Sequence, residues 1–291
     1  MTSFYSIVLI LTVFVVCICY LSVHKNIEIF LQKTLKKKEK IFIFWNQGWE
    51  NAPYVCKMCL KSWKKYNSNT HEIIELDNKT ISHYIHDARI VKTINEIGNF
   101  KSWTQASDLL RINLVAIHGG FWVDATMLCT KPINEYKHLL KNKYNFWFPF
   151  DIDSHIHSYN YIYSTPENAI IKNVANSMNQ HFYEMKRSEN PLDTYEPIFH
   201  LYLGRLMYVR LKRLINWDVI KACQLTPSSN KQKIGYKMFQ TTDILSRKIT
   251  KEAINEAEKQ SFLKLTTRHG VKYHEFFEQG TVLDYLLKKY T

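Results

Sequence analysis

HGGFWVDAT, residues 118–126, joins a long helical pattern to an apolar run whose only charge is Asp124. Ser102 to His118 has helical spacing, and Gly119 is a good stop signal. Two successive glycines let the backbone turn sharply, because glycine accepts positive φ without steric cost. FWVDATMLCT (121–130) is almost wholly apolar and reads as a central strand. At its plainest the stretch is a helix stop followed by a buried strand. The sharper reading has FWV cross the sheet core and carry Asp124 to the strand's C-terminal end, where α/β folds bind ligands.

Working outward, IFIFW (41–45) is a first strand, followed by the loop NQGWENAP (46–53). Tyr54 to Tyr66 is spaced as a helix with Val55, Met58, Cys59 and Trp63 on one face, and HEIIELD (71–77) is a second strand. Short helices fill Lys79 to Gly98. Strand, helix, strand, helix, strand at this spacing predicts an α/β sheet. Downstream, NFWFPF (145–150) and YNYIYST (159–165) read as strands. A helix is expected from Pro166 to about Lys186, and apolar–basic helical spacing recurs over Tyr195 to Lys221. From Lys251 the pattern alternates between helix and strand.

SDLLR (107–111) lies on the helix before the glycines. Asp108 and Arg111 are three apart and share a face. Leu109, Leu110, Ile112, Leu114, Val115 and Ile117 make this helix apolar over most of its circumference, which predicts burial. Buried charges are costly unless paired, so the two residues form either a structural ion pair or part of a crevice facing Asp124.

The 291 residues suit one large catalytic domain, and sparse Gly (8) and Pro (7) exclude collagen-like and disordered classes. A net charge of +13 favours anionic partners such as phosphate-bearing small molecules or acidic lipid. No zinc-finger spacing, RNP-like strand or basic heptad helix is present, which argues against nucleic acid as a partner. Cys56 and Cys59 form a lone C-x-x-C inside a helical pattern, without the second ligand pair of a zinc site, and read as core.

FYSIVLILTVFVVCICYLSV (4–23) is uncharged and about long enough to span a bilayer. Lys25 and KTLKKKEK (33–40) follow it, whereas MTS before it is not basic. The positive-inside rule then predicts a single-pass membrane protein with its domain in the cytoplasm; a Golgi-type lumenal domain is the alternative. The lysines can also touch anionic lipid headgroups. The expected organisation is an anchor at 4–23, a basic juxtamembrane linker at 24–40 and a folded domain at 41–291.

SDLLRINLVAIHGGFWVDAT (107–126) resembles the sugar-nucleotide region of glycosyltransferases with a DXD motif, most closely the capsular polysaccharide synthesis proteins. IFIFWNQGWENAPYVCKMCLKSWKKYN (41–67) resembles that family's opening strand, W-x-Q-G loop and first helix, and HEIIELD its second strand. LKLTTR (263–268) is similar to a short segment near its C-terminus. The likeness covers residues 41–135 well.

The resemblance implies a GT-A (Rossmann-like) α/β domain that binds a nucleotide sugar, a UDP-sugar being favoured, and transfers the sugar with retention to a glycan acceptor. It implies that Asp124 seats the ribose and a divalent cation, Mn²⁺ or Mg²⁺. Asp108 would orient the sugar or ribose, Arg111 would fix Asp108 or reach the donor, and Trp45 and Gln47 would flank the base. Ser107 and Thr126 complete the implied donor site. Thr126 stands where a full motif has a second aspartate, which bears directly on the metal, although the capsular branch itself tolerates D-A-T. Either its hydroxyl ligates weakly or another group supplies the charge, with DID (151–153), His200, Lys264, Arg268 and His269 as candidates. A non-catalytic binder of sugar nucleotides is the competing reading; a basic nucleic-acid binder rests on charge alone.

Overall fold

The structure is a computed structural model that describes residues 18–25, 38–100, 102–140, 145–147, 150–151, 156–157, 160–185, 236–239, 250–258, 261–265 and 280–291. The chain forms two units, Met1–Lys38 and Glu39–Thr291. In the first, residues 18–25 are helical; residues 4–17 of the expected anchor and 26–37 of the basic linker lie outside the described residues. Among the described residues no helix is long and apolar enough to cross a membrane.

The second unit is built on a five-stranded mixed sheet. Its strands are β1 (Glu39–Phe44), β2 (His71–Leu76), β3 (Gly120–Val123), β8 (Tyr161–Ser164) and β5 (Phe146–Trp147), in the order β2-β1-β3-β8-β5. β1 pairs in parallel with β2 and β3, and β8 pairs antiparallel with β3 and β5. Helix α1 (Tyr54–Asn67) connects β1 to β2, while α2 (Ala88–Phe100) and α3 (Trp103–His118) connect β2 to β3. These crossovers put the C-terminal ends of β1, β2 and β3 along one edge of the sheet.

Alternation along the strands explains the two cores. Phe42, Phe44, Ile74, Leu76, Trp122 and Ile162 face α3 and α5 (Ala169–Met185). Ile41, Ile43, Phe121, Val123, Tyr161 and Tyr163 face the other way, toward Trp63 of α1. A strand buried on both faces must be apolar throughout, hence the run that brackets Asp124.

That run is not one strand. β3 ends at Val123 and β4 (Met127–Cys129) belongs to a second sheet, of order β4-β10-β9, with β9 at Tyr236–Phe239 and β10 at Phe262–Leu265. The break falls at Asp124: its N–H donates to the Asn160 carbonyl and its own carbonyl accepts from Met127 N–H, both at 2.9 Å. β4 then docks on α1 through buried polar groups. The Trp63 indole donates to the Met127 carbonyl (2.7 Å), and Ser62 Oγ accepts from the Cys129 N–H (2.9 Å). A third small core joins Val55 and Cys59 of α1 to Leu263, Leu265 and the C-terminal helix α7 (Val282–Tyr290). Among the described residues the other elements are short 3-10 turns at Trp49–Asn51 and Ile81–His83, α4 (Ile133–Leu140), the antiparallel pair β6 (Phe150–Asp151) and β7 (Ile156–His157), and α6 (Lys251–Glu258).

Other expectations shift in detail. NFWFPF divides between β5 and β6, which lie in different sheets. Pro166 sits in a turn, and the helix begins at Ala169. Asn168 explains the later start, since its Oδ1 accepts from the N–H groups of Ile170 and Ile171. Ile117 is 38% exposed despite its apolar neighbours. Cys56 and Cys59 are buried thiols, as the helical C-x-x-C predicts; Cys129 is buried too, and burial pushes Cys56 and Cys129 up to about 12. Tyr195–Lys221 lies outside the described residues.

The glycines behave as required by the turn they make. Gly119 (φ 64°) and Gly120 (φ 81°) both take the positive-φ region. A Cβ on Gly120 would stand 2.3 Å from the Lys40 carbonyl oxygen of β1. Gly120→Ala is therefore expected to destabilise the fold by at least about 1–3 kcal/mol, from backbone strain alone. Denaturant unfolding checks this; wild-type stability would mean that β1 and β3 part without cost.

Candidate active site

Asp124 is the first residue beyond β3, at the sheet edge where the parallel strands end. Trp122 precedes it by two positions, so both side chains fall on one side of the extended chain. The Trp122 Nε1–H donates to Asp124 Oδ1 at 2.9 Å. Arg111 reaches the same oxygen from α3, with NH1 at 3.3 Å, and its guanidinium lies 5.2 Å from the Trp122 ring centroid. The other oxygen, Oδ2, accepts from Lys264 Nζ at 2.6 Å.

Arg111 is fixed by its own helix. Its Nε donates to the Ser107 carbonyl (3.0 Å) and its NH2 to Ser107 Oγ (2.8 Å). The same NH2 pairs with Asp108 Oδ1 at 2.9 Å. Asp108 and Arg111 thus form the intrahelical pair that their spacing allows, and Arg111 also turns toward the β3 edge. The side chain of Arg111 is 7% exposed; those of Asp108, Asp124 and Lys264 are 19%, 20% and 16% exposed. Asp108, Asp124 and Lys264 therefore keep a polar opening to solvent, while Arg111 lies beneath them.

Lys264 arrives by tertiary structure alone. β10 pairs antiparallel with β4, placing Lys264 opposite Met127, and Leu265 N–H donates to the Thr126 carbonyl at 2.9 Å. Thr126 is half-buried within the turn. Trp45 and Gln47 lie on the loop at the same sheet edge, outside the ion cluster. Trp45 N–H donates to the Leu76 carbonyl at 2.9 Å, and its buried indole Nε1 has no acceptor among the described residues. Gln47 has an exposed side chain, and its carbonyl accepts from Asn51 Nδ2 at 2.9 Å. Asp151 ends β6; residues 152–153, His200, Arg268 and His269 lie outside the described residues.

Burial works to raise the Asp124 carboxyl, but the charges of Lys264 and Arg111, with hydrogen bonds from Lys264 and Trp122, outweigh it and hold the group at about 2. Asp124 is thus an anion throughout the neutral range. The divalent cation implied by the family resemblance needs carboxylate oxygens open to it. Here both Asp124 oxygens face cationic side chains, and Thr126 offers no second carboxylate. Among the described residues no three His, Cys, Asp or Glu side chains are grouped to hold a metal. As arranged, these described residues do not fit a divalent cation at Asp124.

A carboxyl depressed from 3.8 to about 2 contributes stability that is complete above pH 4 or so and is lost as pH falls toward 2. The contribution is roughly 2 kcal/mol. In EDTA, the stability gap between the full chain and Asp124→Asn is expected to hold from pH 7 to about 4.5 and then close on acidification. A gap that stays constant to pH 2.5 would place the ion cluster outside the folding equilibrium.

None of the curated proteins matches the chain significantly. Among solved structures it is similar to PaToxG glycosyltransferase, with TM-score 0.42 and 12% identity over 83% of this chain and 95% of that one. It is also similar to the UDP-bound glycosyltransferase domain of the YGT toxin, with TM-score 0.38 and 8% identity over 86% of this chain and 76% of that one. The model of the family described as capsular polysaccharide synthesis protein matches residues 22–286, nearly the whole chain. With the Asp108–Arg111–Asp124 cluster at the end of β3 and this match along its length, the chain belongs to the capsular polysaccharide synthesis protein family, the type of glycosyltransferase that its Ser107–Thr126 segment resembles.

Proposed function

We propose that this protein moves a sugar from a nucleotide-sugar donor, a UDP-sugar in the first instance, to a hydroxyl of a glycan or polysaccharide precursor, with retention of configuration. The observation that carries the proposal is the Asp124 carboxylate at the end of β3, clamped by Arg111 and Lys264 beside Asp108. In the transfer, the bond from the sugar C1 to the β-phosphate oxygen breaks and its electron pair leaves with the diphosphate. The acceptor hydroxyl oxygen bonds C1 on the face from which the diphosphate departs, as retention requires, and its proton passes to the departing diphosphate oxygen. Positive charge develops at C1 and negative charge on the departing diphosphate, so catalysis depends on fixed charges on either side of the breaking bond.

The four charged side chains suit these tasks. Asp108 stands where it can orient hydroxyls of the sugar or ribose. Arg111 is too enclosed to be a swinging ligand and acts by holding both carboxylates in place. Asp124 faces the reacting end of the donor and anchors Lys264. The Trp45–Gln47 loop stands at the same edge, with the Gln47 side chain exposed there.

A screen of UDP-, GDP- and dTDP-sugars for donor turnover, with the full chain in detergent, tests the proposal directly. Asp124→Asn keeps the side-chain volume and removes the charge. It is expected to fold and to lower turnover at least about a hundredfold, the scale of losing one preorganised electrostatic contact. Near-normal turnover by the variant would leave Asp124 as a turn residue. Nucleotide-sugar binding without turnover by the wild type would instead favour a non-catalytic binder.

The uncharged segment 4–23 and its lysine-rich flank support a membrane anchor with the catalytic unit on the cytosolic side. Protease added to sealed inside-in vesicles is expected to leave residues 39–291 intact, and protease added to inverted vesicles to degrade them. The opposite pattern would place the domain on the lumenal or external face.

A further inference from the structure

We propose that Lys264 is the built-in counter-ion for the donor diphosphate, so that turnover needs no divalent cation at Asp124. The inference rests on the nucleotide-sugar reading and specifies its chemistry. It starts from the mismatch at the second position of the motif. Thr126 carries no charge, and the place a metal would take on Asp124 is held by an ammonium: Lys264 Nζ lies 2.6 Å from Oδ2.

The contacts at the site favour this arrangement. Asp108 and Asp124 balance Arg111 and Lys264, all within one connected cluster. The cluster is neutral overall, so the difference lies in the contact itself: a divalent ion could take Asp124 Oδ2 only by expelling Lys264 from its 2.6 Å hydrogen bond, whereas a diphosphate can meet the lysine with that bond in place. An ammonium has three N–H donors, and one of them goes to Asp124. Lys264 is 16% exposed, so it is enclosed enough for its charge to act at low screening and open enough to meet a ligand at the Asp124 edge.

Position supports the same role. β10 is tied to β4 in register and to the Thr126 carbonyl, so the lysine is delivered by backbone hydrogen bonds rather than by a loose side-chain reach. Asp124 then acts partly as a positioning residue that aims Lys264. When C1 and the diphosphate oxygen separate, the electron pair that stays on oxygen meets the ammonium, which stabilises the leaving group without accepting or giving a proton.

The test compares the full chain with Lys264→Arg, Lys264→Met and the double variant Lys264→Met/Thr126→Asp. UDP binding and nucleotide-sugar turnover are measured in EDTA and in Mn²⁺, with thermal unfolding as a check of folding. The wild type is expected to turn over equally in both conditions. Lys264→Arg should keep most activity. Lys264→Met should lose at least about a hundredfold in EDTA, as for removal of one preorganised charge. Mn²⁺ should restore part of that loss, and more in the double variant, because Asp124 Oδ2 is then open and a second carboxylate is present. A purely structural lysine would not create a new metal dependence.

Wild-type turnover that disappears in EDTA and returns with Mn²⁺ would overturn the inference while leaving the glycosyltransferase reading intact. So would Lys264→Met with normal activity in EDTA. If Lys264→Met does not fold, the wild-type metal response and Lys264→Arg still decide. A wild type that binds and turns over no nucleotide sugar under either condition would instead sink the proposed function, and this inference with it.

Discussion

The Asp124 carboxylate, shared between Arg111 on α3 and Lys264 on β10, is the contact on which the rest of the structure turns. It stands where the apolar run 120–129 changes sheets. A charged side chain cannot continue through a core that is dry on both faces, so the chain turns at Asp124 and begins again at Met127 in the second sheet. The ion pair to Lys264 closes that junction from the far end of the sequence. One carboxylate therefore ends a central strand, joins two sheets and defines the polar opening at the edge of the parallel strands.

Such an arrangement is costly as pure stabilisation. Removing charged groups from water is repaid only when partners and hydrogen bonds are well placed, and apolar replacements are often as stable. Here every charge is answered. Arg111 is held by Ser107 through its backbone and hydroxyl, by Asp108 and by Asp124, with the Trp122 ring beside it. Asp124 receives the Trp122 indole as well. The result is one connected group of charges, with Asp108, Asp124 and Lys264 partly open to solvent and Arg111 enclosed. Both Asp124 oxygens are engaged, Oδ1 by Trp122 and Arg111 and Oδ2 by Lys264.

Much of the frame was legible from residue order. The alternation in IFIFW and HEIIELD, the helical spacing of Tyr54–Tyr66 and the stop at Gly119 are local signals, and local sterics and burial settle them. Asp108 and Arg111 were readable because three residues on a helix fix their relation. Trp122 was read only as core, although its two-residue offset from Asp124 on a strand was the available clue to its hydrogen bond. The turn at Asp124–Thr126 was missed as a break, since the residues on both sides are equally apolar and periodicity does not mark a change of sheet.

The sequence by itself determined the α/β order of elements, the burial of the SDLLR helix and the delivery of Asp124 to a strand end. These depend on spacing along the chain and on which side chains avoid water. Only the tertiary structure decided that Lys264, 140 positions away, is the partner of Asp124. That pairing comes from the register of β10 on β4 and from the docking of β4 on α1 through Trp63 and Ser62. Taken singly, a lysine in LKLTTR is indistinguishable from any solvated cation on a strand. Its meaning arises from through-space hydrogen bonding between segments, for which linear spacing carries no record.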